Sequence, residues 1–254
     1  MERYFYDFHI HSCLSPCGGD DTTPADLAGM CALAGYQIVA LTDHNTVGNC
    51  AAFCKAAEHY GLLALPGMEL TTAEEVHVVC LFPDLDSAHA FGEYVRTHLP
   101  AVPNRPDFFG HQYFMDEEDH ILGEETALLM GATDIPVYEV AALVHSFGGT
   151  AYPAHIDHDA FSLLSNLGLW MPEAGFRFAE LSPSCPDGFT DRPDLKGVKF
   201  VFDSDAHYLH EISQPRHTIP LPELTVQAVL EYLRNQTGTF SSFPRLNKQE
   251  EEYR

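Results

Sequence analysis

Basic side chains are what this sequence most lacks: 13 Lys and Arg stand against 37 Asp and Glu, a formal charge of −24 over 254 residues. Such a field repels anionic membrane surfaces and long nucleic acid, and the chain carries no basic stripe that would overcome it. Long apolar runs are missing as well. No stretch approaches the length of a membrane span, and Met1-Glu2-Arg3-Tyr4-Phe5-Tyr6-Asp7 places charges where a leader needs apolar residues. The expectation is a cytoplasmic protein with no membrane partner and no evident protein partner. Nor is there a disulfide framework: seven cysteines is an odd number in a chain too large to need staples, so reduced thiols are expected. Cys13 with Cys17 and Cys50 with Cys54 are small buried or idle thiols on this reading rather than a zinc site.

What is present is an ordinary globular composition, 45% hydrophobic and 20% charged, enough to bury a sizeable core. Apolar, β-rich runs occur at Tyr4 to Ile10, Ile38 to Thr42, Leu62 to Glu69, Val76 to Phe82, Thr150 to Ala154, Phe176 to Leu181 and Val198 to Phe202. Thr23-Pro24 opens a helix that ends at Gly35; a second spans Val47 to Tyr60 with Gly61 as its stop, and a last one runs from Thr225 to Gln236, closed by Gly238. Repeated strand–helix alternation predicts an α/β fold with a mostly parallel sheet, closed into a distorted seven-stranded TIM-like barrel. Residues 84–139 break the rhythm with a helix (Ser87 to His98), a Pro-rich link, and a hairpin of Gln112 to Met115 and His120 to Leu122. They are expected to form a cap inserted over one end of a single domain spanning 1–254. The acidic hairpin turn reads as a solvated tip, and Asn247 to Arg254 as a frayed tail.

Chemistry concentrates at the ends of these runs. His9 and His11, two apart on the first strand, share one face. Asp205 and His207 repeat the spacing just after the last strand. Between them, Asp43-His44 follows the second strand, Glu69 ends the third, His77 lies on the fourth and His155 follows the fifth. In a βα barrel the carboxyl ends of different strands converge on one mouth, so these residues should meet there. Imidazole and carboxylate without thiolate suit Zn²⁺, Mn²⁺ or Fe²⁺. His59, His89, His98, His210 and His217 lack partner motifs and read as surface residues.

The ordered set Asp7-Phe8-His9-Ile10-His11-Ser12, Leu41-Thr42-Asp43-His44-Asn45-Thr46, Gly67-Met68-Glu69, Val76-His77-Val78, Pro153-Ala154-His155 and Ser204-Asp205-Ala206-His207 resembles the PHP family. This is the polymerase and histidinol phosphatase family of metal-dependent phosphoesterases. The resemblance implies two or three divalent ions (Mn, Fe or Zn). His9, His11, Glu69 and Asp205 would hold one, Glu69 would bridge to a second on His77 and His155, and His44, His207 and an acid between Ser12 and Pro24 would hold a third. That acid is Asp20, with Asp21 the alternative, because Ser15 to Asp21 is longer than the family's usual turn. Asp43 would orient a neighbouring ligand, and Glu180 is a weaker candidate without an obvious partner. The implied chemistry is hydrolysis of a small phosphorylated metabolite or a nucleotide by a hydroxide bridging paired ions. Arg177, with Arg105 or Arg216 as substitutes, could clamp the phosphate, and His158 or His111 could protonate the leaving group.

Two other readings stand beside it. Amidohydrolases also begin with His-x-His on a barrel strand, but those that use a carboxylated lysine need one at a strand end, and none of Lys55, Lys196, Lys199 and Lys248 is so placed. Mononuclear amidohydrolases need no such lysine. A non-catalytic metal-binding module is the third reading.

Overall fold

The computed structural model describes residues 1–234. In chain order the elements are β1 (Glu2–Ile10), α1 (Pro24–Ala34), β2 (Ile38–Leu41), α2 (Cys50–His59), β3 (Leu63–Thr71), β4 (His77–Leu81), α3 (Leu85–His98), α4 (Pro106–Phe109), β5 (Tyr113–Met115), β6 (Ile121–Glu124), α5 (Val137–Ser146), β7 (Thr150–Pro153), α6 (Leu163–Leu167), β8 (Phe178–Leu181), β9 (Lys199–Phe202), β10 (Thr218–Leu221) and α7 (Val226–Arg234). All the expected strands are present. The predicted close of the last helix and the tail beyond it lie outside the described residues. No helix among the described residues is long and apolar enough to cross a membrane, and all seven cysteines are free thiols.

The strands form a curled half-barrel, a six-stranded sheet in the order β10-β1-β2-β3-β4-β7, with β8 and β9 as a separate parallel pair. The expected continuous ladder of seven strands is therefore not what is seen. Instead β8–β9 is joined to its neighbours by single links: Ile156 N donates to Glu180 O, Ile10 bridges Ala206, and Phe8 N donates to the Asp203 carboxylate at 2.8 Å. Two further departures have plain causes. β3 and β4 are antiparallel, because the few residues between them form a tight turn too short for the crossover that parallel strands require. β10, which is not among the expected strands, pairs antiparallel with β1 at the sheet edge, where the missing N–H of Pro220 is tolerated.

The sheet separates two apolar clusters. Helices α1, α2, α3 and α5 cover its outer face, packing Leu27, Phe53, Phe91 and Val140 against Val39, Leu41, Met68 and Val78. Inside the curl lie Tyr4, Tyr6, Phe8, Leu65, Val79, Tyr152, Phe178 and Val201, closed at one end by Val229, Leu230 and Leu233 of α7. β1 changes sides along its length. Tyr4, Tyr6 and Phe8 point inward, but Ile10 belongs to the outer cluster, and the pairing with β2 shifts register between Asp7 and Ile10. A one-residue irregularity exchanges the two faces of a strand. Here it gives the inner face to His9 and His11, which lie directly above the inner apolar cluster.

Within residues 84–139, α3 lies on the outer face, while the segment after it is bonded to the loop that follows β2. The Asn45 amide donates to Leu129 O and Gly131 O at 2.6 and 2.9 Å while its oxygen accepts Thr71 N. Asn49 donates to Tyr113 O and accepts Met115 N. The acidic hairpin turn is less free than expected: Asp119 accepts Thr23 Oγ1 at 2.7 Å and Ala25 N at 3.0 Å, placing a carboxylate on the α1 amino terminus. Thr23 precedes the helix as predicted, but its side chain serves that contact instead of capping.

Candidate metal centre

The carboxyl ends of β1, β2, β3, β7, β8 and β9 meet at one mouth. His77 begins its strand, yet it reaches the same mouth because β4 runs antiparallel and Thr71 pairs with His77. Glu69, fully buried, stands at the centre. His44 Nδ1 and His77 Nδ1 lie 2.9 Å from its oxygens, His155 Nε2 at 3.2 Å, and His9 and His11 Nε2 at 3.3 Å. Asp205 Oδ1 is 3.3 Å from both His9 and His11. The His207 ring stacks on His11 with centroids 4.1 Å apart.

Hydrogen bonds on the outer side of the rings fix which nitrogen faces inward. Glu180 Oε2 accepts His9 Nδ1 at 2.8 Å. Ser15 Oγ donates to Asp43 Oδ1 at 2.7 Å, so its oxygen is left to accept His11 Nδ1 at 2.9 Å. The Asp205 carbonyl accepts His207 Nδ1 at 2.9 Å. His9 and His11 therefore turn their Nε2 atoms toward each other across 3.0 Å, a spacing that either a shared proton or a divalent ion between them would satisfy. Asp43 is held by Ser12 N, Ser12 Oγ and Ser15 Oγ and so steadies His11 through a serine.

Buried atoms test whether a divalent ion fits. His44 Nδ1, His77 Nδ1, Glu69 Oε2 and Asp205 Oδ1 are buried without a hydrogen-bond partner, although the first three lie within 2.9 Å of an opposite polar atom. The groups converge on points in space rather than on one another. Donors about 2.1 Å from a tetrahedral ion lie roughly 3.4 Å apart, and the 3.3 Å separations among His9, His11, Glu69 and Asp205 match that spacing. Three further sets have ligand atoms within 4.8 Å of one another: His11, His44 and His207; His44, Glu69 and His77; His155, His158 and Asp205. An all-oxygen-and-nitrogen donor set suits Zn²⁺, Mn²⁺ or Fe²⁺.

The charges agree with this geometry. Burial would raise the Glu69 carboxyl, but His77, His9 and His44 hold it well below the usual range. Burial lowers His44 to about 4, and burial with the charge of His11 lowers His207 to about 3; both rings are neutral at pH 7 and offer lone pairs. His11 is pushed the other way, to about 9, as hydrogen bonds to Asp205 and Glu69 outweigh its burial. In His9, Glu180, Glu69 and Asp205 overcome burial in the same direction.

The structure separates the remaining candidates. Asp20 and Asp21, the expected third acid and its alternative, are exposed on the turn after β1 and belong to none of these sets; His11 stands beside His44 and His207 instead. Arg177 precedes β8 at the opposite end of the sheet, where it lines a separate cavity with Thr150 and Arg234, far from any phosphate held at the mouth. Arg105 lies over the Phe108 ring and Arg216 is exposed; neither lines the mouth. His111 bonds Glu124. His158 does line the mouth, its ring stacked on His155 at 4.6 Å. Glu180, a candidate without an obvious partner in the sequence, has His9 as its partner, whereas Ser12 and Ser15 were not singled out, their one signal being that they closely follow His11.

The sequence model of the PHP domain family matches residues 7–171. Among curated proteins, none matches the sequence significantly. Among solved structures the chain resembles the lesion-specific endonuclease Q of Pyrococcus furiosus, with a TM-score of 0.69 and 16% identity over 92% of this chain. It spans only 56% of that endonuclease's length. A Bifidobacterium adolescentis protein named for metal-dependent phosphoesterase activity matches with a TM-score of 0.59 and 20% identity, over 90% of this chain and 95% of its own. An amidohydrolase from Chromobacterium violaceum with bound sulfate matches with a TM-score of 0.57 and 21% identity, over 89% and 95%. These likenesses, all at low identity, are likenesses of fold.

Proposed function

The chain belongs to the PHP domain family, and from that premise we propose that it is a metal-dependent phosphoesterase acting on a small phosphorylated metabolite or a nucleotide. The observation that carries the reading is Glu69, fully buried within 3.3 Å of five imidazoles, two of which, His44 and His77, turn toward it nitrogens that have no hydrogen-bond partner. His9, His11, Glu69 and Asp205 would hold one ion; Glu69 with His77, His44 and His155 would hold a second; His207 with His11 and His44 would complete the cluster. Held by these residues, divalent ions would supply the positive charge that acidifies a water and neutralises phosphoryl oxygens, which suits a chain with few basic residues.

The protein's own contribution is orientation. Glu180 fixes the His9 tautomer and Ser15, backed by Asp43, fixes that of His11. Bonds from Asn45 and Asn49 tie residues 113–131 to the loop after β2; we assign residues 84–139 the part of a cap that shares in selecting the leaving group, within one domain built as a distorted barrel. His158, exposed at the rim beside His155, is within reach of a leaving oxygen and is the candidate acid. The charge of −24 speaks for small substrates over long nucleic acid.

A panel of phosphate esters, amides and cyclic ureides offered to Mn²⁺-loaded protein tests the proposal. Turnover of phosphate esters supports it. Turnover confined to amides or ureides would transfer the chain to the amidohydrolase reading that the Chromobacterium violaceum likeness permits. No turnover at all, with loss of fold rather than of activity in His9→Ala, would identify a structural metal site.

A further inference from the structure

Among the described residues, Phe161 is the one large apolar side chain in a mouth otherwise lined by imidazoles, carboxylates and Ala160. The cavity, about 380 Å³, is bounded by His44, Glu69, His77, His155 and His207, with His158, Asp159 and Phe161 on the rim. The Phe161 ring stacks on His77, centroids 4.8 Å apart and planes 19° from parallel, and it remains 43% exposed. One part of the ring is thus occupied by a candidate ligand, and the rest is offered to the cavity.

The ring is held there at a cost. Phe161 has φ of +54°, a conformation in which a bulky residue is a genuine outlier and which persists only when the surroundings impose it. They do: Ile156 N bonds Glu180 O, Asp157 accepts both Ser182 N and Ser182 Oγ at 2.9 and 2.6 Å, Ser162 Oγ donates to His158 O, and His77 N donates to Phe161 O at 2.9 Å. The loop between β7 and α6 is pinned along its length, and its last bond joins Phe161 to the strand that carries His77. Such pre-organisation loses no further freedom when a ligand binds.

Resting on the phosphoesterase reading, we infer that Phe161 is a stacking platform for a planar aromatic leaving group. Phosphate esters of aromatic alcohols are then preferred over saturated ones of the same size. Asp159 beside it on the rim adds a second criterion: the leaving group carries no further anion, since a negative charge there meets both Asp159 and the acidic protein as a whole.

Benzyl phosphate and cyclohexylmethyl phosphate isolate the stacking contribution, because both release a primary alcohol and differ in ring planarity. With Mn²⁺-loaded protein, kcat/KM is expected to favour benzyl phosphate by about three- to tenfold, carried mainly in KM. Phe161→Leu should bring the ratio close to one, and Phe161→Tyr should restore it. The ratio is internal to each variant, so a general loss of activity does not imitate the effect. A wild-type ratio near one, or a preference that survives in Phe161→Leu, overturns the platform while leaving the phosphoesterase reading intact. Hydrolysis of neither ester, by protein that turns over other phosphate esters of the panel, overturns the platform alone; no turnover of any phosphate ester overturns both.

Discussion

Replacing Glu180 tests whether the metal centre is tuned from behind. Its carboxylate is fully buried, and Oε2 accepts His9 Nδ1 at 2.8 Å while Oε1 has no partner. That bond is the one that sets the His9 tautomer. A hydrogen bond to a charged group contributes about 1.5–3 kcal/mol, so Glu180→Leu, which removes it outright, should weaken metal binding by roughly 10- to 150-fold. Glu180→Gln keeps an acceptor but not the charge; since a neutral bond has about half the strength, the expected loss is roughly 4- to 12-fold. Competition for Mn²⁺ or Zn²⁺ against a chelator of known affinity measures both, and the order wild type, Gln, Leu is the signature. Unchanged affinity in Glu180→Leu would show that His9 is not a ligand or that its outer bond is irrelevant, and would refute the reasoning.

The protonation of His11 gives a pH dependence. With no metal bound its pKa is raised to about 9 from an ordinary 6.5, so metal uptake near neutral pH must displace a proton; calorimetry in buffers of different ionisation enthalpy should detect at least about one proton released per chain, and affinity should rise with pH up to about 9. The same raised pKa stabilises the chelator-treated fold fully below about 6.5 and is lost as pH climbs to about 9, so melting temperature should fall across that window and saturating metal should flatten the trend. Asn45→Ala strips partners from Thr71 N, Leu129 O and Gly131 O and forces alanine into a φ of +51°; urea unfolding should show a loss of about 2–4 kcal/mol, and a loss below about 1 kcal/mol would mean the cap is not fastened there. Arg177→Ala, altering the far end of the sheet, should keep phosphoesterase kcat/KM within about twofold, whereas a large fall would return Arg177 to the site.

Much of the candidate site was legible because its residues obey a simple rule of placement. His9, His11, His44, Glu69, His155, Asp205 and His207 recur where strands end, and strand ends converge. His77 obeys it only through the antiparallel turn of β4, which the short interval between Glu69 and Val76 already implied. What was not legible is whatever depends on a single backbone irregularity or on contacts distant in sequence. The register shift in β1 that hands the inner face to His9 and His11 leaves no mark in composition, and the bond from His9 to Glu180 joins residues 171 apart. Asp20 shows the converse: the resemblance asked for an acid in this turn, and the longer turn leaves it exposed. Arg177 fell short because a strand's two ends are equally conspicuous in sequence while only one carries the site.

The central claim is that Glu69 organises a cluster of divalent ions. Elemental analysis of protein equilibrated with Mn²⁺ and desalted measures it directly: the account predicts two or more ions per chain, with at least one lost in Glu69→Ala. A wild-type chain that retains none, or a Glu69→Ala variant that retains as many as wild type, would contradict it.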